Sequence, residues 1–353
     1  MKIPILACAI LAAAPLQAQW IKQPAVGIPR LADGTPNLTA AAPRASDGRP
    51  DLSGLWLMTL HPGYVANVAS DLAPQDVRPW AAAAFTERVS SLGKDDPGTI
   101  GCLPLGPRHI TGGGTVARVK VIQTPAVILM LFEDLAYRQI FIDGRSLPTD
   151  PHPSFMGYSV GRWDGDELVV ESIGFKDATW LDFGGHPHTE SLRVTERYRR
   201  LDFGHVQRQI TLVDPHTFTR PITIDAAMTL DPDTELLEYV CAETPTGQFG
   251  LKGRTAEEKT VQVAVERLRR YVGVYDVQDA NVFGIRTLNV SLAEGQLFVD
   301  FNGKGRMPMM PLSETMFSPR LLGTYEFVMD ASGRVTHVSI HGIEGTNTAR
   351  RRP

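Results

Sequence analysis

From Val116 to Glu243 the chain is written in short β-rich runs, and this pattern constrains the fold more than any other feature. The runs include "VARVKVIQT", "AVILMLFED", "YRQIFID", "GYSVGRWDGDELVVESIGF" and "ESLRVTERYRRLDFGHVQRQITLVD". They are separated by turn chemistry such as Asp143-Gly144, Asp164-Gly165-Asp166 and Asp231-Pro232-Asp233. Regular short strands joined by tight turns, with no helical period between them, predict an antiparallel sandwich or a closed up-and-down barrel. The hairpin "WDGDELVVES" is the firmest of these signals, because Asp-Gly supplies the positive φ that a two-residue turn needs.

The flanks of this block differ. Residues 1–18, "MKIPILACAILAAAPLQA", carry Lys2, an apolar run and a small residue before Gln19, the pattern of a cleaved secretory signal, so the mature chain is expected in the periplasm or outside the cell. The run is too short to span a bilayer as a helix. Residues 19–50 contain a repeat, "DGTPNL" from Asp33 and "DGRPDL" from Asp47, and read as an extended Pro-rich arm on the folded body. "DLSGLWLMTL" from Asp51 reads as the first strand. "PWAAAAFTERVSSL" from Pro79 reads as a helix with Trp80, Ala84, Phe85 and Val89 on one face and Gly93 just beyond it.

After the β block, "TAEEKTVQVAVERLRR" has Thr255 and Glu258 spaced as a capping box, which predicts a linker helix over 251–270. The β pattern then returns over 271–353. The expectation is a mainly β protein: two antiparallel lipocalin-like (calycin-type) β-barrel domains, 51–250 and 271–353, joined by a helix. A formal net charge of −4 argues against a nucleic-acid partner and against a polybasic membrane anchor. Cys8 would leave with the signal. The remaining pair, Cys102 and Cys241, is expected to form one disulfide, with two buried thiols as the alternative.

Two resemblances attach to these phrases. "LRRYVGVYDV", "LNVSLAEGQLFVDF", "MPLSETMFSP" and "YEFVMDASGRVTHVSIH" follow one another in an order similar to the small lipocalin-like DUF3471 domain, often appended to serine β-lactamase-like hydrolases. The catalytic motifs of those hydrolases do not occur here as a set, so the resemblance implies an accessory barrel and no hydrolysis. "GRPDLSGLW", "GYSVGRWDGDELVVES" and "GHPHTESLRVTERYRR" resemble a broad family of exported, uncharacterised bacterial proteins, a likeness that carries no activity with it.

Chemistry-bearing residues concentrate between Asp150 and Arg193. Alternation along Ser191 to Arg200 sends Leu192, Val194, Glu196 and Tyr198 to the barrel interior and Arg193, Thr195, Arg197 and Arg199 outward. An inward Glu196 must be paired or have its pKa raised. His186 and His188 sit in a Gly-Gly-His-Pro-His turn at the strand's entrance. With Asp182 or Glu190 they could complete a three-ligand site for a divalent metal such as zinc. Without metal, either histidine could carry protons, tuned by Asp182 or Glu190, with Tyr158 or Arg193 stabilising an oxyanion and Asp150 and His152 on the opposite rim. Alternatively, all of them simply hydrogen-bond loop backbones. The leading expectation is an acid/base enzyme (lyase, isomerase or hydrolase) on a small organic compound. The competing ones are a carrier or sensor of an apolar ligand and a structural envelope protein. Met307, Met309 and Met310 read as packing filler, or as soft-metal ligands on composition alone. "ITGGGT" from Ile110 reads as a flexible turn.

Overall fold

The computed structural model describes residues 23–98, 101–112, 118–241, 259–278, 284–320, 323–342 and 345–353. The secretory-type segment 1–18 and the Thr255/Glu258 capping box lie outside the described residues.

Nine strands close the first barrel in sequence order: β1 (Gly54–Leu60), β2 (Arg118–Gln123), β3 (Val127–Phe132), β4 (Tyr137–Phe141), β5 (Tyr158–Asp164), β6 (Glu167–Ile173), β7 (Arg193–Arg200), β8 (His205–Val213) and β9 (Ile222–Leu230). An odd number of strands cannot alternate direction all the way round a closed ring. One neighbouring pair must therefore run parallel, and it is β4–β5, registered through Ile140↔Ser159 and Phe141↔Val160. The connection 142–157 returns the chain to the starting end to allow this. β5 and β6 meet at Asp164↔Glu167 around Gly165, at φ +60°, as the Asp-Gly signal predicts.

A second nine-stranded sheet follows, comprising β10 (Gly273–Val277), β11 (Thr287–Ala293), β12 (Gln296–Phe301), β13 (Lys304–Pro308), β14 (Met310–Pro311), β15 (Met316–Ser318), β16 (Thr324–Met329), β17 (Val335–Gly342) and β18 (Gly345–Arg351). Its order, β13-β12-β11-β10-β18-β17-β16-β15-β14, puts two consecutive strands at opposite edges. The bend at Met309, whose N–H donates to Leu297 O at 2.8 Å, brings those edges round and nearly closes the sheet. The two-barrel expectation holds. The linker helix does not hold as drawn, since among the described residues 259–264 lie in no helix, and an α-helical turn over Val265–Leu268 runs on into a 3-10 turn at Arg269–Tyr271. Thr260, Val261 and Val263 favour extended backbone, and Val261 N–H donates to Pro311 O of the second barrel at 2.9 Å.

The Pro-rich arm is less extended than expected. Each repeat folds into the same closed turn: Arg30 donates to Gly34 O at 2.9 Å and Arg44 to Gly48 O at 2.7 Å, with matching bridges Arg30↔Pro36 and Arg44↔Pro50. Each arginine then reaches a barrel aspartate, Arg30 to Asp233 at 2.9 Å and Arg44 to Asp166 at 2.7 Å.

Strand directions place the β1–β2 insertion (61–117), the β6–β7 segment (174–192) and the β8–β9 turn (214–221) at one end of the first barrel. Among its described residues the insertion holds three α-helices, α1 (Pro62–Ala66), α2 (Pro79–Ser90) and α3 (Pro107–Thr111), and a 3-10 turn at Pro74–Asp76. Only α2 was expected, and its buried residues are Ala81 and Val89, while Trp80 is 45% exposed with its indole N–H on His216 O. α3 shows that "ITGGGT" begins as the last turn of a helix, capped by Gly112 at φ +81°.

This end of the first barrel meets the second. Val65, Ala66, Val89 and Phe183 belong to the same apolar core as Tyr271, Phe301 and Phe327. Lys304 pairs with Asp71 at 2.9 Å, and Asn67 donates to Arg306 O at 3.0 Å. α1 lies directly on the β12–β13 turn because both contacting residues are glycines. A Cβ on Gly305, which has φ +73°, would overlap Gly63 O and Cα. Gly305→Ala is therefore expected to destabilise the protein by on the order of 2–4 kcal/mol, combining left-handed strain with overpacking. Thermal unfolding checks this, and a variant within a few tenths of a degree of wild type would show that the barrels do not depend on this contact.

Candidate functional site

The turn 182–190 is held at both ends by buried aspartates. Asp182 accepts four hydrogen bonds, from Gly185 N at 2.7 Å, His186 N at 3.0 Å, Val68 N at 2.7 Å and His186 Nδ1 at 2.5 Å. Asp214, from the β8–β9 turn, accepts Thr189 N at 2.6 Å and Thr189 Oγ1 at 3.0 Å. Gly185 sits at φ +101° with Arg88 packed against its Cα, and Arg88 donates to Gly185 O at 2.8 Å. Burial alone would push the Asp182 carboxyl up. The contacts with His186 and the converging backbone N–H groups outweigh burial and hold it below the ordinary carboxylate range.

His186 and His188 have different surroundings. The His186 ring stacks on Phe85, centroids 4.1 Å apart, and uses Nδ1 on Asp182. No described residue hydrogen-bonds its Nε2. His188 uses both nitrogens, Nε2 with Thr179 Oγ1 at 2.9 Å and Nδ1 with Thr189 O at 3.1 Å. A carbonyl facing Nδ1 demands the Nδ1–H tautomer, and burial pushes the His188 pKa down, so this imidazole is neutral and fully occupied. Glu190 is exposed. The three-ligand arrangement of His186, His188 and Glu190 therefore does not assemble, and among the described residues no group of three or more His, Cys, Asp or Glu side chains is placed to hold a metal ion.

The other sequence candidates are spread around the barrel. Arg193 is exposed on the outer face. Tyr158 is also on the outer face, stacked on Phe141 and bonded by Arg145 at 3.1 Å. Asp150 and His152 are exposed on the 142–157 connection, which runs beside the start of the β6–β7 segment through Ser154↔Phe175. None of these four joins Asp182 and His186 through a hydrogen bond.

Glu196 points inward, as alternation predicts, together with Leu192, Val194 and Tyr198. It lies at the centre of a buried polar layer. Arg138 donates to its Oε2 at 2.5 Å, Arg208 to its Oε1 at 3.2 Å, and the Tyr198 hydroxyl also donates to Oε1. Arg138 continues to Ser159 at 3.1 Å and Ser172 at 2.8 Å, and Arg208 to Ile110 O at 2.5 Å. Burial would raise the Glu196 pKa, but the two guanidinium charges outweigh it and keep the carboxyl ionised. Burial also pushes the Tyr198 phenol up to about 12. Apolar clusters lie on either side of this layer. A void in the lumen of about 10 Å³ is lined by residues such as Leu52, Met130 and Tyr198, room for about one water.

Two further buried clusters were not expected from the sequence. Asp96 and Arg108 form a fully buried bidentate pair, at 2.7 and 3.0 Å, near Arg320 of the second barrel. His109 Nε2 meets Asp134 at 2.7 Å. Cys102 and Cys241 are joined by a disulfide, Cα atoms 5.7 Å apart, as expected.

No protein-family model and no curated protein matches this chain. The reading of the site accordingly rests on its own chemistry.

The depressed Asp182 pKa has a consequence for stability. The unfolded carboxyl titrates near 3.9 and the folded one below that, so the stabilisation from Asp182 is complete above the unfolded value and is lost as pH falls through the folded one. The advantage of wild type over Asp182→Asn, roughly 1.5–3 kcal/mol at neutral pH, should shrink on acidification below about pH 4. Urea unfolding at several pH values checks this, and a gap that stays constant to pH 2.5 or so would contradict it.

Proposed function

We propose that this protein is an exported acid/base enzyme acting on a small organic compound, with His186 as the proton carrier and Asp182 as the residue that orients it. One observation supports the reading: a buried carboxylate with four donors fixes the imidazole as the Nδ1–H tautomer, while Nε2 keeps a lone pair that no described residue uses. That is the base-and-orienter half of a catalytic constellation. No hydroxyl or thiol of the described residues is bonded to Nε2, so the proton it takes would come from the substrate or from water. Proton abstraction, elimination or water activation then fit better than a serine-type acyl transfer. Export is proposed with the reading and agrees with the Cys102–Cys241 disulfide.

The experiment is turnover on a panel of esters, lactones and β-elimination substrates with wild type, His186→Ala, Asp182→Asn and His188→Ala. For any substrate turned over, His186→Ala should lose about 10²–10⁴-fold in kcat. Asp182→Asn should retain binding but lose rate through a mis-set tautomer, and His188→Ala should act mainly on stability. Full turnover by folded His186→Ala would end the assignment.

A further inference from the structure

The proposed chemistry uses nothing of the second barrel, although that barrel has a hollow of its own. The non-helical strip at Thr260–Val263 passes the β11–β12 turn and leaves a concave space of about 270 Å³. Its floor is Leu268, Leu297, Met309 and Phe317, all almost completely buried. Its rim carries Thr260, Gln262 and Gln296.

We propose that this hollow binds a neutral small molecule of one or two fused rings with a single hydrogen-bonding end. Size sets the first limit: a dry cavity of about 150 Å³ suffices for benzene, whereas drug-sized sites start near 300 Å³. The lining sets the second. Thioether and phenyl groups at Met309, Met310 and Phe317 favour a polarisable ring face. No ionisable side chain is among the described lining residues, so a charged ligand would lose its hydration with no counter-charge in return. The polar end is met by the rim. The Gln296 amide donates to Met310 Sδ at 3.4 Å, and a thioether is a weak acceptor that a ligand oxygen replaces readily. Among the described residues the strip has one backbone bond to the barrel, Val261 N to Pro311 O, so it can give way as a ligand enters. The methionines that composition alone offered as filler or metal ligands act here as packing in the core at Met307 and as ligand-facing groups at Met309 and Met310.

Indole is the probe, titrated into the full chain and followed by calorimetry and ligand-observed NMR. The expected result is saturable 1:1 binding. Met310→Trp and Val261→Trp, which add bulk at two lining residues, should each weaken it by about tenfold or more. His186→Ala should leave it unchanged, which separates this site from the proposed acid/base site. Indole-3-carboxylate should bind about tenfold or more weakly than indole. Either tryptophan variant that keeps the wild-type unfolding temperature decides the matter if the other fails to fold. The proposal is overturned if indole does not saturate up to its solubility limit, if folded tryptophan variants bind as wild type does, or if the carboxylate binds equally well.

Discussion

Glu196→Ala is expected to cost roughly 3–5 kcal/mol of stability, because it leaves two buried arginines facing each other without an anion. In the intact layer the formal charges of Arg138, Arg208 and Glu196 sum to 1 + 1 − 1 = +1, and all three side chains are essentially without solvent contact. Removing the carboxylate raises that to +2 between side chains that are essentially without solvent contact. Three controls separate charge from shape. Glu196→Gln keeps the acceptor but not the charge and should fall between wild type and alanine. Replacing the set together, as Arg138→Met, Glu196→Leu and Arg208→Met, should be close to neutral or stabilising, since desolvation of the ions is then avoided. Single Arg138→Met should cost less than Glu196→Ala, because it leaves one balanced pair. Urea unfolding of the series gives the order. If Glu196→Ala lay within about 1 kcal/mol of wild type, the layer would have to be wetter than its burial indicates, and Glu196 would return as a candidate for chemistry.

The sequence made the fold class legible because strand alternation and turn residues are local signals. β7 is the clearest example: Leu192, Val194, Glu196 and Tyr198 turned inward and the intervening arginines outward, as period two requires. The same rule, carried to Arg138 beside Ile140 and to Arg208 between Val206 and Ile210, points both arginines at Glu196. That signal was present but unread, because an arginine in a β-run is ordinarily on the solvated face. Other features had no local signal. Asp214 and Asp182 lie 32 residues apart (214 − 182) and meet at one turn only because the barrel returns β8 beside β7. The two histidine rings part for a related reason: His-Pro-His gives the spacing of two ligands, but Phe85 and Thr179, from outside the turn, hold each ring in its own surroundings. The linker helix over 251–270 rested on the capping box, and contact with Pro311 draws the valines before Val265 into a non-helical strip.

Removing the Cys102–Cys241 disulfide is the other substitution expected to have a large effect. The bridge spans a sequence separation of 139 residues. Chain-entropy arithmetic for a loop of that length gives roughly 5 kcal/mol as an upper figure. The bridge ties the β1–β2 insertion to the segment that climbs the outside of the barrel after β9, where Lys120 meets Glu235 at 2.7 Å and Tyr239 N–H donates to Glu133 O at 2.7 Å. Its loss should loosen the end of that segment, where the ties among the described residues include the Lys120–Glu235 ion pair, of small worth, and the Tyr239–Glu133 backbone bond. Cys102 also has φ +52°, a left-handed conformation that costs a side-chain-bearing residue about 1–2 kcal/mol. Part of the bridge's contribution is therefore spent holding Cys102 in that conformation. Cys102→Ser with Cys241→Ser should lose most of the stabilisation, read as a lower urea midpoint that no longer responds to reductant. Cys102→Gly with Cys241→Ser should recover about 1 kcal/mol of it, because glycine adopts positive φ freely. Equal midpoints for the two double variants would mean that the turn relaxes to negative φ once it is untied. A double variant as stable as oxidised wild type would mean that the segment 231–241 is held by its other contacts alone.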